Sequence, residues 1–160
     1  MKKIRITIIF SGAEEYPGCS DIIATCPEFE IVARHSSLLS ADIWRDLGRS
    51  DVILLDELAV SESGGEAIRE VHECFPFSRI LLIMEKVSRN KTMEAISMGI
   101  TGVMARTSML SSIRKAIPVL YSGETWVSRG LVKSLHHQLQ QAGDDSLFPH
   151  PQGQVPTLKN

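Results

Sequence analysis

The sequence predicts an α/β protein made of five alternating strand–helix units wound on both faces of one parallel sheet. Three observations predict it. Short β-branched and aliphatic runs recur at residues 4–10, 29–33, 52–55, 80–84 and 102–105, and runs of that length suit strands buried on both faces. The segments between them carry apolar residues at helical spacing and are punctuated by Gly, Pro and Ser. A carboxylate, Asp56, directly follows the third run, where an open α/β sheet meets its ligand-side loops. Such alternation implies parallel pairing with right-handed crossovers.

The elements follow in order. Residues 4–10 (IRITIIF) read as a central strand broken by Ser11-Gly12. A weak helix is expected over 14–26, where Cys19, Ile22, Ile23 and Cys26 share a face although Pro17-Gly18 spoils its start. Pro27 stops it before the second strand. Ser40 can N-cap a short helix that turns Ile43, Trp44 and Leu47 inward and ends at Gly48. After the third strand, Ser63-Gly64-Gly65-Glu66 fits a capping box for a helix carrying Ile68, Val71 and Phe75, closed by Pro76. A helix over 91–98 ends at Gly99. A fifth turns Ile113, Ala116, Ile117 and Leu120 inward, and Pro118 should bend it. Residues 128–141 read as a polar helix with Leu131, Val132, Leu135 and Leu139 on one side, and 143–160 as a linker or tail.

Composition excludes several classes. The chain has 160 residues, with 17 Lys and Arg against 19 Asp and Glu, so the basic footprint of a nucleic-acid binder is missing. Its longest apolar runs are far too short to span a bilayer. Met1-Lys2-Lys3-Ile4-Arg5 leads into a strand rather than a signal-peptide core. Cys19, Cys26 and Cys74 form an odd count without metal or redox spacing, the pattern of free thiols in a reducing compartment. A cytoplasmic domain without membrane partners is expected. Ser11-Gly12-Ala13 lacks the spacing of a nucleotide loop, and nothing resembles a hydrolase motif. Trp44 and Trp126 are expected to pack, and His35 and His72 to be lone surface or partly buried groups. His136 and His137 point different ways on a helix and cannot share a metal. No catalytic residue, metal or cofactor is expected.

Three segments carry a resemblance. Asp51-Val52-Ile53-Leu54-Leu55-Asp56, with Ser63-Gly64 downstream, looks like the phosphoacceptor strand and following loop of response-regulator receiver domains. Residues 99–106 (GITGVMAR) look like that family's AGADGYLLK stretch, and Gly123-Glu124-Thr125-Trp126-Val127-Ser128 is similar to the turn that follows its last receiver helix. The chain thus resembles, over roughly residues 3–140, a receiver of the NarL/LuxR-type branch. The resemblance implies a flavodoxin-like (βα)5 sheet of strand order 2-1-3-4-5 with an extra C-terminal helix. It also implies a receiver over 1–123, an appended helix over 124–141 and a linker or tail over 142–160. Asp56 becomes the candidate phosphoacceptor. The partners implied are a sensor histidine kinase or other regulatory protein and a second copy of the chain, in the service of transcription regulation. Residues 155–160 are similar to the opening of the family's DNA-binding domain, so the output domain is expected to be absent and DNA contact to require it.

The chain departs from the family at four positions. Two acidic residues after the first strand normally join the phosphoacceptor in holding Mg²⁺, which demands oxygen ligands; Phe10 and Ser11 stand there. Glu14 and Glu15 are expected to stay exposed. Met84 takes the place of the hydroxyl that contacts the phosphoryl group, and Glu85 beside it would repel a dianion. Arg106 replaces the usual Lys. Two readings of Asp56 remain: an inefficient phosphoacceptor with poor Mg²⁺ support, or a structural remnant ion-paired with Arg106. The second is favoured, because phosphoryl transfer depends on the positioning and charge neutralisation that the metal provides. The expected function is an atypical receiver acting through protein contacts. A flavodoxin-like small-molecule binder and a pure dimerisation module are the alternatives.

Overall fold

The computed structural model of the protein describes residues 2–12, 18–127 and 146–148. Eleven elements occur among them: β1 (Ile4–Ile9), α1 (Cys19–Thr25), β2 (Phe29–His35), α2 (Ile43–Gly48), β3 (Val52–Asp56), α3 (Glu57–Ser63), α4 (Gly65–Cys74), β4 (Arg79–Met84), α5 (Arg89–Ser97), β5 (Gly102–Ala105) and α6 (Arg106–Tyr121). The five strands form one sheet in the order β2-β1-β3-β4-β5, with every pair parallel. This is the doubly wound order expected from the resemblance.

The two-residue period of the strands divides the core between the sheet's faces. Ile6, Ile8, Leu54, Leu81 and Ile83 pack with Ile23 of α1 and with Ile113, Ala116, Ile117 and Leu120 of α6. Ile53, Leu55, Ile80, Leu82 and Met84 pack with Ile43 and Leu47 of α2, Ile68 and Val71 of α4, and Ala95 of α5. Burying each large aliphatic side chain contributes about 1.5–3 kcal/mol, so β3 and β4, buried on both faces, anchor the fold. The edge of β5 is covered by the chain after α6. Val103 N–H donates to the Trp126 carbonyl at 2.9 Å and Trp126 N–H to the Thr101 carbonyl at 3.0 Å. That pairing protects an edge that would otherwise offer free backbone groups, and Trp126 packs partly buried on the first face, as expected.

Several local expectations need correction. The chain after β3 forms α3, a helix the sequence reading did not contain, and Ser63 is its last residue. The capping box therefore does not form. The Ser63 hydroxyl donates back to the Ala59 carbonyl at 2.8 Å, and Gly64, at φ 87°, breaks α3 and starts α4 without a side-chain cap. A left-handed φ of that size suits glycine and little else. Helix α5 starts at Arg89 rather than Lys91, and Ser88 caps it: its hydroxyl accepts from Lys91 N–H. Trp44 is half-exposed and leans on Phe75, ring centroids 5.8 Å apart, while Ile43 and Leu47 fill the core. Helix α1 begins only at Cys19, and α6 runs through Pro118 to Tyr121. The expected helix over 128–141, with its leucine stripe, and Glu14 and Glu15 lie outside the described residues.

Candidate functional site

Asp56 is the last residue of β3, between β1 and β4, at the C-terminal end of the sheet. Its side chain is not open to solvent: the residue is 2% exposed. Three backbone amides hold it. Oδ1 accepts from Ser11 N–H at 3.0 Å and from Ala59 N–H at 2.9 Å, and Oδ2 accepts from Gly12 N–H at 3.0 Å. The Ala59 bond is an N-cap, since Asp56 has extended backbone and its side chain satisfies one of the orphan amides opening α3. The two loop bonds come from successive residues after β1, a short concavity of N–H groups of the kind that grips an anion. That loop is itself anchored, because the Ser11 hydroxyl donates to the Ser36 carbonyl at 2.7 Å. Burial of a carboxylate demands such partners, and here the backbone supplies them.

The other residues marked out by the sequence lie around this end of the sheet without meeting Asp56 side chain to side chain. Phe10 is buried in the first core cluster and Met84 in the second. Arg106, the first residue of α6, reaches Glu85 instead: Nη1 lies 2.9 Å from Oε2, with both side chains largely exposed. The expected Asp56–Arg106 ion pair is therefore absent. The reason is competition for both partners. The Asp56 oxygens already accept from three backbone amides, and Arg106 follows β5, two strands from β3. Glu85 follows β4, only one strand away, and its head is in water where an arginine can find it.

A second network was not anticipated. Glu57 Oε2 lies 2.8 Å from Lys91 Nζ, and Glu57 Oε1 accepts from the Glu85 N–H at 3.2 Å. Glu57 thus ties the start of α3 to the β4–α5 loop and to the first turn of α5, beside the residue that a phosphoryl group would have to approach. The only sequence signal was a second acidic residue directly after Asp56. His35, read as a lone histidine, is paired: Nε2 lies 2.8 Å from Asp46 Oδ2, at the junction of β2 and α2.

The divalent cation implied by the resemblance does not fit this arrangement. Phenylalanine offers no ligand at position 10, the Ser11 hydroxyl is committed to a carbonyl, and the Asp56 oxygens are committed to amides. Among the described residues no group of three or more His, Cys, Asp or Glu side chains is placed to hold a metal.

The architecture is the flavodoxin-like (βα)5 sheet also found in response-regulator receivers, with Asp56 at the C-terminal end of its third strand. Solved structures of that class superimpose on it. A two-component response regulator of the LuxR family from Aurantimonas sp. SI85-9A1 matches with a TM-score of 0.72 at 18% identity, covering 88% of this chain and 100% of that one. The isolated REC domain of RcsB from Salmonella enterica serovar Typhimurium matches with a TM-score of 0.71 at 13% identity, covering 84% and 99%. Among curated proteins, the response regulator protein VraR of Staphylococcus saprophyticus is 21% identical over 127 residues, 79% of this chain and 61% of that protein. VraR of Staphylococcus epidermidis is 20% identical over the same length. The chain thus spans about three-fifths of the curated relatives it matches. No family model matches the chain.

Proposed function

We propose that this chain is a signal-transduction receiver domain that works through protein contacts, with Asp56 serving as a structural fastener between β1, β3 and α3 rather than as a phosphoacceptor. The observation that carries this reading is the sealing of Asp56, at 2% exposure with amide donors on both oxygens. Attack on a phosphoryl group needs a free oxygen, room in line with it and positive charge beside it. Here Ser11 and Gly12 fill the room with backbone, Phe10 and Met84 belong to the core, and Arg106 is engaged by Glu85. The partners that suit such a domain are a sensor kinase or another regulatory protein and a second copy of the chain, and the function that suits it is regulatory rather than enzymatic.

The similar proteins include RcsB, solved as a complex with DNA. The chain carries a net charge of −2 rather than an excess of basic residues, so DNA contact is not proposed for these residues. No helix among the described residues is long and apolar enough to cross a membrane, in keeping with a place in the cytoplasm.

Intact mass after incubation with acetyl phosphate and Mg²⁺ tests the proposal. The expected result is no phosphoryl gain. Efficient labelling that disappears in Asp56→Asn would overturn it and make Asp56 a working switch.

A further inference from the structure

Ser146, Leu147 and Phe148, read from the sequence as part of a linker or tail, are seated on the domain between α4 and α5. Leu147 is 2% exposed and belongs to the second core cluster, with Ile68 and Val71 of α4, Ala95 of α5 and Met98 just after it. Phe148 packs partly buried on the same cluster. Two polar groups of the segment go to one residue. Glu94 Oε2 accepts from the Ser146 hydroxyl at 2.7 Å and Glu94 Oε1 from the Leu147 N–H at 2.7 Å. The Phe148 N–H donates to the Ser146 hydroxyl oxygen at 3.1 Å, so the segment is folded over its own serine. The groove floor is shaped to receive it. A Cβ on Gly65 would stand 3.1 Å from Met98 Sδ and 3.5 Å from Phe148 Cζ, so the glycine leaves the space that the methionine and the phenylalanine ring share.

We infer that the α4–α5 groove is a peptide-docking site whose occupant is the chain's own Ser146-Leu147-Phe148. Each component has a separate role. Leucine fills the pocket and supplies the apolar burial that ordering a chain segment requires. The hydroxyl and the free amide answer the two oxygens of Glu94 as charge-assisted hydrogen bonds. Phenylalanine covers Gly65. Docking holds the segment on the face opposite α1 and α6 and so couples its position to the state of α4 and α5. Ser146 is the point of control. Negative charge on it would face the Glu94 carboxylate and expel the segment, whereas removing the hydroxyl alone leaves the leucine and its amide bond in place.

Hydrogen exchange of the Leu147 amide in the full chain decides the matter. In the wild type this amide is expected to exchange at least about tenfold more slowly than an open chain, since exchange requires the segment to undock. Glu94→Ala and Ser146→Asp should each abolish that protection, and Ser146→Ala should reduce it only in part, while amides of β3 stay protected in all three. Open-chain exchange at Leu147 in the wild type would overturn the proposal. So would full protection retained in both Glu94→Ala and Ser146→Asp. Ser146 lies outside the sheet and its helices, so Ser146→Asp remains informative even if Glu94→Ala disturbs α5.

Discussion

Replacing Asp56 measures how much of the domain's stability passes through a residue that working receivers keep for chemistry. In Asp56→Ala three amides lose their acceptor at once. Loss of the α3 cap costs about 1 kcal/mol, within a range of about 0.5–2. The two loop amides each lose a hydrogen bond to a carboxylate, worth about 1.5–3 kcal/mol when nothing replaces it. They lie in part-buried surroundings, so water can recover some of that, and a total loss of about 3–5 kcal/mol is expected. Asp56→Asn is milder. Its amide oxygen can take the Oδ1 place opposite Ser11 and Ala59, but its NH2 then faces the Gly12 donor, a loss of about 1.5–3 kcal/mol. Arg106→Met breaks the exposed pair with Glu85, and loss of such a pair costs about 0–1 kcal/mol. Equilibrium urea unfolding of the three variants gives the test. With a slope of about 2 kcal/mol per molar urea, Asp56→Ala should lower the midpoint by about 2 M and Arg106→Met barely move it. An Asp56→Ala variant within about 1 kcal/mol of wild type would refute the fastener reasoning. An Arg106→Met loss equal to that of Asp56→Ala would restore the ion pair.

Other outcomes follow from single contacts. Gly99→Ala forces a Cβ to 2.5 Å from His72 Cγ at φ 101°, whereas Gly64→Ala meets nothing within 4 Å at φ 87°. Gly64→Ala should therefore cost only the left-handed strain, about 1–2 kcal/mol, and Gly99→Ala clearly more by thermal unfolding, with His72→Ala relieving only part of the clash, since the Cβ at position 72 still stands 2.7 Å away. Cys74 is exposed while Cys19 and Cys26 are buried, so a thiol reagent should modify one cysteine rapidly in the native protein and all three only on unfolding. Lys91→Met removes the partner of Glu57 in a largely buried pair. A loss of about 1–3 kcal/mol is expected, read by urea unfolding, and Glu57→Gln in the same background should then cost little more, since the pair with Lys91 is already lost and the glutamine oxygen can still accept from Glu85 N–H.

Strand identity was legible because burial on both faces leaves a chemical trace that no neighbour can alter. Runs such as Val52-Ile53-Leu54-Leu55 and Ile80-Leu81-Leu82-Ile83 are apolar throughout, and a continuous run of that length between turn residues has few other stable uses. Two turn glycines were legible for a similar reason, Gly99 and Gly123, where φ is 101° and 100°. The departures from the receiver pattern were also written in residue types: Phe10 and Met84 carry no side-chain oxygen, and no fold can give them one. What the tertiary structure decided is who meets whom. Asp56 ends β3 and Arg106 directly follows β5 at the same end of the sheet, and the two are complementary in charge, yet three backbone amides hold Asp56 and Glu85, one strand nearer, holds the arginine. Ser63 and Glu66 have the spacing of a capping box, but the cap of Asp56 had already begun a helix upstream that consumes Ser63. Leu147 sits in a sequence neighbourhood rich in Gly, Asp and Pro that reads as tail, and only the groove beside Gly65 and Glu94 turns it into core. A local pattern reports what a residue can bury or donate; its partner is chosen by distances across the sheet and between helices, and those exist only once the chain has folded.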